Sequence, residues 1–567
     1  YSLLKRICAN LGILTATLLK TMRNISHTFR FLFVHNLFLL PLALLFSCSN
    51  QQEQGIDVVI TGKNIHYLDT SLSSKTLRWV AIDDGRIVDF GGDLEQRPQA
   101  KKTIKTSNSH VYPGFIDAHG HIFGYAETLH TVSLFGTKSK EECLERIRVF
   151  KETHPEKDWV IGRGWDQNDW EDTSYPTAID LEEFEDSKIY LTRIDGHAAW
   201  VNTAVLDDYG IENSSKVNGG SVLDGILVDR AQELVTLPKY DSKFWRMALL
   251  QTQDSLVKYG LTALTDAGLH YDQILLLDSL IEEGAWKLPV NAMISNTEED
   301  LSYFEQHGPI EKQLLRVKSV KAYLDGALGS RGALLRAPYH DLPQHYGLHL
   351  LSPEELEKLR ERCIANEWQL CVHAIGDSAH HVLLKSFEQL DRNRDLRFRV
   401  EHAQIMTPED SSYYTHPNII ASVQPTHATS DMYWAHERLG DERLEHSYSY
   451  KRILNAAGKV ALGTDFPIEH IDPLATYFSA TTRRDKEHWP EEGFLGAQAL
   501  TPLQTLRGMT VDAAYSAFRE HEYGSIAKGQ LANFTILNRD LLAADQPNQS
   551  ETKVLRTIVA GAVIYQD

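Results

Sequence analysis

The feature that most restricts this chain is an alternation of short apolar runs with helix-start signals. Eight runs of strand length fall at residues 115–119, 262–266, 290–294, 320–324, 369–373, 398–402, 419–423 and 460–464. They are too short for helices. Helix starts follow several of them. Ser352-Pro353-Glu354-Glu355 and Thr501-Pro502-Leu503-Gln504 each carry an N-cap hydroxyl, proline at the first helical position and Glu or Gln at the third, and Thr407-Pro408-Glu409-Asp410 is a close variant. Strand–helix alternation brings successive strands back parallel, and eight such units predict a (β/α)8 barrel, a TIM barrel, over residues 113–523. The interval between the first two runs is too long for one connection. An inserted subdomain is therefore expected over about 125–255, including a ninth apolar run at 189–192.

The two ends of the chain read differently. Residues 58–60, 79–82 and 86–90 look like short strands, with Asp84-Gly85 as a hairpin turn between the last two, and residues 533–537 and 554–565 read as strands again. Isolated hairpins are marginal. A small β-sandwich domain built jointly from 56–112 and 524–567 is the economical arrangement. Ahead of it, Met22 is followed by Arg23, His27 and Arg30, an apolar run over 31–46 and then Ser47-Cys48-Ser49-Asn50, which is the pattern of a signal peptide over 22–48. His35, Asn36 and Pro41 interrupt that run, and it falls short of the roughly 20 residues of a membrane span. Leu45-Phe46-Ser47-Cys48 resembles the lipobox of bacterial lipoproteins, which implies acylation of Cys48 and an exported protein, lipid-anchored to the cell envelope or periplasmic.

Charge and cysteine content remove several function classes. A net charge of −20 disfavours a nucleic-acid partner. The five cysteines are scattered, with no Cys-x-x-Cys pair, so neither a disulfide framework nor cysteine chemistry is indicated, and Cys363 and Cys371 read as core residues. No Gly-x-Gly-x-x-Gly, P-loop or Gly-x-Ser-x-Gly occurs in a strand-to-helix setting, which leaves nucleotide cofactors and serine hydrolase chemistry unsupported.

The histidines point elsewhere. His119-Gly120-His121 closes the first run, and residues two apart on a strand share a side, so both imidazoles can address one ion. His373 ends the fifth run, His402 the sixth, Asp465 follows the eighth and Lys321 lies within the fourth. Barrel enzymes draw their functional groups from the C-terminal ends of several strands, where most of these residues fall.

The pattern resembles the amidohydrolase superfamily, and within it the YtcJ-like branch related to N-substituted formamide deformylases. The resemblance rests on Pro113-Gly114-Phe115-Ile116-Asp117-Ala118-His119-Gly120-His121, Gly164-Trp165-Asp166-Gln167, Asp195-Gly196-His197-Ala198-Ala199-Trp200-Val201-Asn202, Leu324-Asp325-Gly326-Ala327-Leu328-Gly329-Ser330-Arg331-Gly332-Ala333, His373-Ala374-Ile375-Gly376-Asp377 and Gly463-Thr464-Asp465. It implies a metallohydrolase in which His119, His121 and Asp465 hold one divalent ion and His373 and His402 a second, with a carboxylated Lys321 bridging them. Zinc is the first expectation, and Mn, Fe or Ni would suit the same donors. Asp465 is then the general base and acid, and the shared hydroxide attacks the carbonyl. Trp165, Asp195, His197, Arg331 and His427 lie in family-like motifs and are candidate substrate contacts, the first three on a lid formed by the insertion.

These readings lead to a metal-dependent hydrolase of a carbon–nitrogen bond in a small amide, N-acyl or N-formyl compound. Ester or lactone hydrolysis on the same centre, and a lipoprotein that binds a ligand without turnover, are the alternatives. Whether the chain forms a homo-oligomer is left open.

Overall fold

The computed structural model describes residues 55–567 apart from 69–73, 168–169, 195–197, 214, 216, 218–219 and 544–548. The expected signal segment and Cys48 lie outside the described residues, as do Asp195 and His197.

At its centre stand eight parallel strands: β1 (Phe115–Gly120), β2 (Leu261–Leu269), β3 (Val290–Ser295), β4 (Leu315–Tyr323), β5 (Gln369–Ala374), β6 (Phe398–His402), β7 (Ile419–Val423) and β8 (Ala461–Leu462). They pair in chain order from β1 to β8. Between the last strand and the first, the loop after β8 closes the ring: Asp465 donates its backbone N–H to His119 O at 2.7 Å and His121 donates to Phe466 O at 2.8 Å. Every residue of β1, β5, β6 and β7 is buried. Parallel strands covered on both faces require this, and it explains why they read as continuous apolar runs rather than alternating ones.

Two of the three helix signals act as written, whereas Thr407 heads a 3-10 helix, Pro408–Thr415, without a side-chain cap bond. In the helix Pro353–Ala365, Ser352 Oγ accepts the Glu355 N–H and Glu355 accepts the Ser352 N–H at 2.8 Å. The helix Pro502–Gly508 has the same reciprocal box between Thr501 and Gln504. Such caps satisfy backbone donors that the first helical turn cannot, and each contributes about 1 kcal/mol.

Between β1 and β2 the chain builds a separate six-stranded sheet. Its order runs from Gly220–Leu223 through Ile226–Asp229, Ala198–Val201, Lys188–Arg193 and Trp159–Trp165 to Val132–Ser133. Trp165, Trp200, Ile189 and Leu191 pack in its own core. The helix Ser242–Lys258, which the expected limits of the insertion cut across, buries Leu249, Leu256 and Val257 in the barrel's core instead.

Both ends of the chain share one eight-stranded sheet. Ala562–Gln566, Val554–Val559 and Phe534–Leu537 lie edge to edge with His110–Pro113, Ile56–Leu68, Ser74–Asp83 and Arg86–Gly91, and Ala100–Lys105 pairs with Ile56–Leu68 off this path. Ile60, Val80 and Ile87 from one end and Phe534, Ile536 and Ile558 from the other form a single core. This sheet docks on the barrel through Thr535 Oγ1, which donates to Gly260 O at 2.7 Å, and Thr557 Oγ1, which donates to Val257 O at 2.6 Å. Among the described residues no helix is long and apolar enough to cross a membrane.

Candidate metal centre

Strand register brings the candidate ligands to one end of the barrel. On β4 and β5, Lys321 stands opposite Cys371 and Tyr323 opposite His373, and on β5 and β6, His373 stands opposite Glu401. His121 follows the last residue of β1 in extended conformation, φ −132°, and so stays on the side of His119. Asp465 and His402 turn into the mouth through left-handed backbone, φ 64° and 69°.

The side chains meet there. His121 Nε2 lies 3.1 Å and His119 Nε2 3.6 Å from Asp465 Oδ1, and Lys321 Nζ is 3.2 Å from His119 Nε2. The ring centre of His402 is 4.4 Å from that of His373 and 4.9 Å from that of His119. All six candidate ligands therefore converge. His119, His121 and Asp465 each offer a donor atom, mutually within 4.8 Å, and so do His402, His427 and Asp465.

The donors fit a cation better than they fit one another. Asp465 Oδ1 and His373 Nδ1 are buried without a hydrogen-bond partner, although His121 Nε2 is close to the former. Buried polar atoms are nearly always partnered. His119 Nδ1 bonds Glu401 Oε2 at 2.6 Å and His402 Nδ1 bonds Gln424 Oε1 at 2.8 Å. Each acceptor fixes the proton on Nδ1, which leaves the Nε2 lone pair facing the centre. Burial lowers the pKa of His119 to about 4 and that of His373 to about 3, with the neighbouring Lys321 adding to both shifts. Burial also pushes Lys321 downward, towards the neutral amine from which a carbamate forms. For Asp465 burial works the other way, but the nearby imidazoles of His121 and His427 override it and hold the carboxyl well below its usual range.

Behind the ligands lies a set of carboxylates that sequence reading left without roles. Glu401 is fully buried, and desolvation alone would raise its pKa, but Arg399 and His119 hold it far below the usual range. Arg399 donates through Nε to Glu401 Oε1 at 2.6 Å and through Nη2 to Glu401 Oε2 at 3.0 Å and Ala118 O at 2.7 Å. Asp117 Oδ1 accepts the backbone N–H of His119 and of Thr464, each at 3.0 Å, which ties β1 to the loop carrying Asp465. Asp325 accepts three backbone N–H groups, from Leu334, Ile375 and Gly376, and so pins the loop after β4 to the end of β5. The available signal was charge inside runs that should be wholly apolar: Asp117, Arg399 and Glu401 interrupt such strands.

Over the centre opens a cavity of about 420 Å3, with Lys321, His373, Asp465 and His427 in its wall beside Tyr323, Leu328, Trp434 and Ile468. His427 Nε2 is 3.4 Å from Asp465 Oδ2, long for a hydrogen bond but close enough for the two charges to interact. Burial disfavours a charged His427, yet the Asp465 carboxylate lifts its pKa to about 9. Two expected substrate contacts fall elsewhere. Trp165 is fully enclosed in the inserted sheet, where its indole N–H donates to Leu191 O at 2.7 Å, so it is a core residue and not a substrate contact. The Arg331 guanidinium is drawn to Asp341, 2.7 Å away, and leaves the cavity wall to Leu328 and Gly329 of the same loop.

Comparison with known proteins agrees with this geometry. A family model described as "Amidohydrolase family" matches residues 102–565. The chain belongs to the amidohydrolase family. It is 29% identical over 539 residues to Protein LONG AFTER FAR-RED 3 of Arabidopsis thaliana, covering 90% of this chain and 91% of that one. With YtcJ of Bacillus subtilis it shares 28% identity over 505 residues, 86% of this chain and 96% of the relative. With the N-substituted formamide deformylase of Arthrobacter pascens it shares 26% over 546 residues, 90% and 98% of the two chains. An uncharacterized metal-dependent hydrolase from Pyrococcus horikoshii has the same fold, with a TM-score of 0.73 and 25% identity over 87% of this chain and 99% of that one. This amidohydrolase is thus a metal-dependent hydrolase built on a barrel.

Proposed function

We propose that the protein hydrolyses a carbon–nitrogen bond of a small N-acyl or N-formyl compound, with N-substituted formamides as the first class to examine. The observation that carries this reading is the convergence of His119, His121, Lys321, His373, His402 and Asp465 beneath one small-molecule-sized cavity. The similarity to an N-substituted formamide deformylase supports the choice of bond.

His119, His121 and Asp465 would hold one divalent cation, zinc by preference, and His373 and His402 a second, with Lys321 as a carbamate between them. Cations held there supply Lewis acidity, which polarises a carbonyl and acidifies water. The protein's own groups do the rest. Asp465 takes the proton of the attacking water and returns it to the departing amine, a transfer for which its depressed pKa keeps it ionised beforehand. His427 stands beside that carboxylate on the cavity wall and is placed to meet the substrate's carbonyl end. Tyr323, Leu328, Trp434 and Ile468 give the cavity an apolar part, which suits an apolar substituent on nitrogen, while Gln404, Asp431 and Glu469 add polar groups to the same wall. The signal pattern over 22–48 supports export with lipid attachment at Cys48.

The test is turnover of a matched panel of N-substituted formamides, N-acyl amines, esters and lactones by the zinc-loaded protein and by Asp465→Asn. Amine release from the amides, reduced by at least about a thousandfold in the variant, is expected for a group acting in proton transfer. Faster ester or lactone turnover, or wild-type rates in Asp465→Asn, would overturn the assignment.

A further inference from the structure

A second cluster of metal-ligand type lies away from the barrel mouth, in the sheet shared by the two ends of the chain. His66, on Ile56–Leu68, His110, on His110–Pro113, and Asp540, just beyond Phe534–Leu537, each present a donor atom, mutually within 4.8 Å. Strand pairing creates it. Asn64 is in register with His110, and His110 with Leu537, so adjacent strands carry Asn64, His66, His110 and Tyr112 on one face.

The distances are those of a coordination shell. His66 Nε2 is 3.3 Å from His110 Nδ1 and 3.5 Å from Asp540 Oδ1, while His110 Nδ1 is 3.7 Å from Asp540 Oδ2. Donors bound at about 2.0–2.1 Å to a tetrahedral zinc stand about 3.3–3.4 Å from each other. The surroundings orient the set. Tyr112 OH donates to Asp540 Oδ1 at 2.8 Å, the Tyr112 ring stacks on His66 with centres 4.5 Å apart, and Asn64 Nδ2 lies 3.4 Å from His110 Nε2, the nitrogen facing away from the cluster. Burial keeps both imidazoles neutral, with the pKa of His66 lowered to about 4 and that of His110 lowered as well. A neutral ring has the lone pair that a cation needs. The cluster is not sealed, since the side chains of His110 and Asp540 are 16% and 31% exposed, so a water can complete the shell.

We propose that His66, His110 and Asp540 form a separate site for a late first-row divalent cation, zinc foremost, that fastens the beginning of the chain to its end. Two imidazoles and one carboxylate suit such a cation and do not suit magnesium or calcium, which prefer an all-oxygen shell. The cluster shares no residue with the candidate catalytic centre, so the proposal does not depend on the hydrolase reading.

The test is zinc content, by elemental mass spectrometry after Zn2+ loading and desalting, of the full protein, His110→Gln and Asp540→Asn. The second variant keeps an amide oxygen for Tyr112. Each folded variant is expected to retain one equivalent fewer than the parent, and unchanged content in either would overturn the site. A readout on the parent alone stands beside it: Zn2+ should shield His110 from carbethoxylation mapped by mass spectrometry. Equal modification with and without Zn2+ would show only a pair of hydrogen-bonded histidines.

Discussion

Single residues decide which atoms face the centre. Glu401 touches no candidate cation, yet it sets the tautomer of His119 and shares a fully buried ion pair with Arg399. Glu401→Gln keeps the shape but strands the Arg399 charge, and breaking one side of a buried pair costs about 3–5 kcal/mol. An unfolding free energy lowered by that amount in chemical denaturation, together with weaker metal retention, is the expected result. His380 tests burial without touching the centre. Its Nδ1 bonds Ile405 O at 3.0 Å and its Nε2 bonds Tyr414 OH at 2.7 Å, and burial lowers its pKa to about 4. Between the unfolded value near 6.5 and about 4, the unfolded chain binds the extra proton, so this contribution is intact above pH 6.5 and is lost as pH falls. At pH 5 the loss is about 2 kcal/mol. Stability measured at pH 7 and pH 5 should therefore fall further in the parent than in His380→Gln.

At the level of elements, the strand ends were legible and the reasons for their precision were not. Seven of the eight anticipated runs coincide with β1–β3 and β5–β8 closely enough to place His119, His373 and His402 at strand termini. The sequence pattern starts the fourth at Val320, whereas β4 starts at Leu315. Arg316 and Lys318 made that stretch look polar, but Arg316 is buried over the Phe518 ring and bonds Asn291, and Lys318 pairs with Glu311. Asn291 and Phe518 are too distant in sequence from Arg316 to be read from local pattern. The eighth run contracts to Ala461–Leu462, because beyond it the backbone is held on β1 by the Asp117 side chain and the His119 carbonyl rather than by a regular strand ladder. Gly463 makes that close approach possible: a Cβ there would stand 2.5 Å from the His119 nitrogen and 2.7 Å from Asp117 Oδ1. Gly463→Ala must push β1 away from the loop of Asp465. A folded variant that retains less metal and turns over at least tenfold more slowly is expected, as judged by elemental analysis and initial rates.

Across the whole molecule, the sheet shared by the termini and the barrel were both legible, because turn signals and apolar periodicity are local. The contents of the insertion were less so. Trp165 stood in a family-like motif, but only the packing of Trp200, Ile189 and Leu191 around it shows that it serves the inserted sheet's core. The six converging ligands are the opposite case, being dispersed from residue 119 to residue 465 and joined only by closure of the barrel. The central claim, that these six residues hold a two-cation centre bridged through Lys321, is tested most directly by metal content. Zinc bound by His110→Gln is to be compared with zinc bound by the same protein carrying Lys321→Ala as well, which takes the terminal cluster out of the count. About two equivalents falling to one or none is the result predicted. The same content in both proteins, or no zinc retained by His110→Gln, would contradict it.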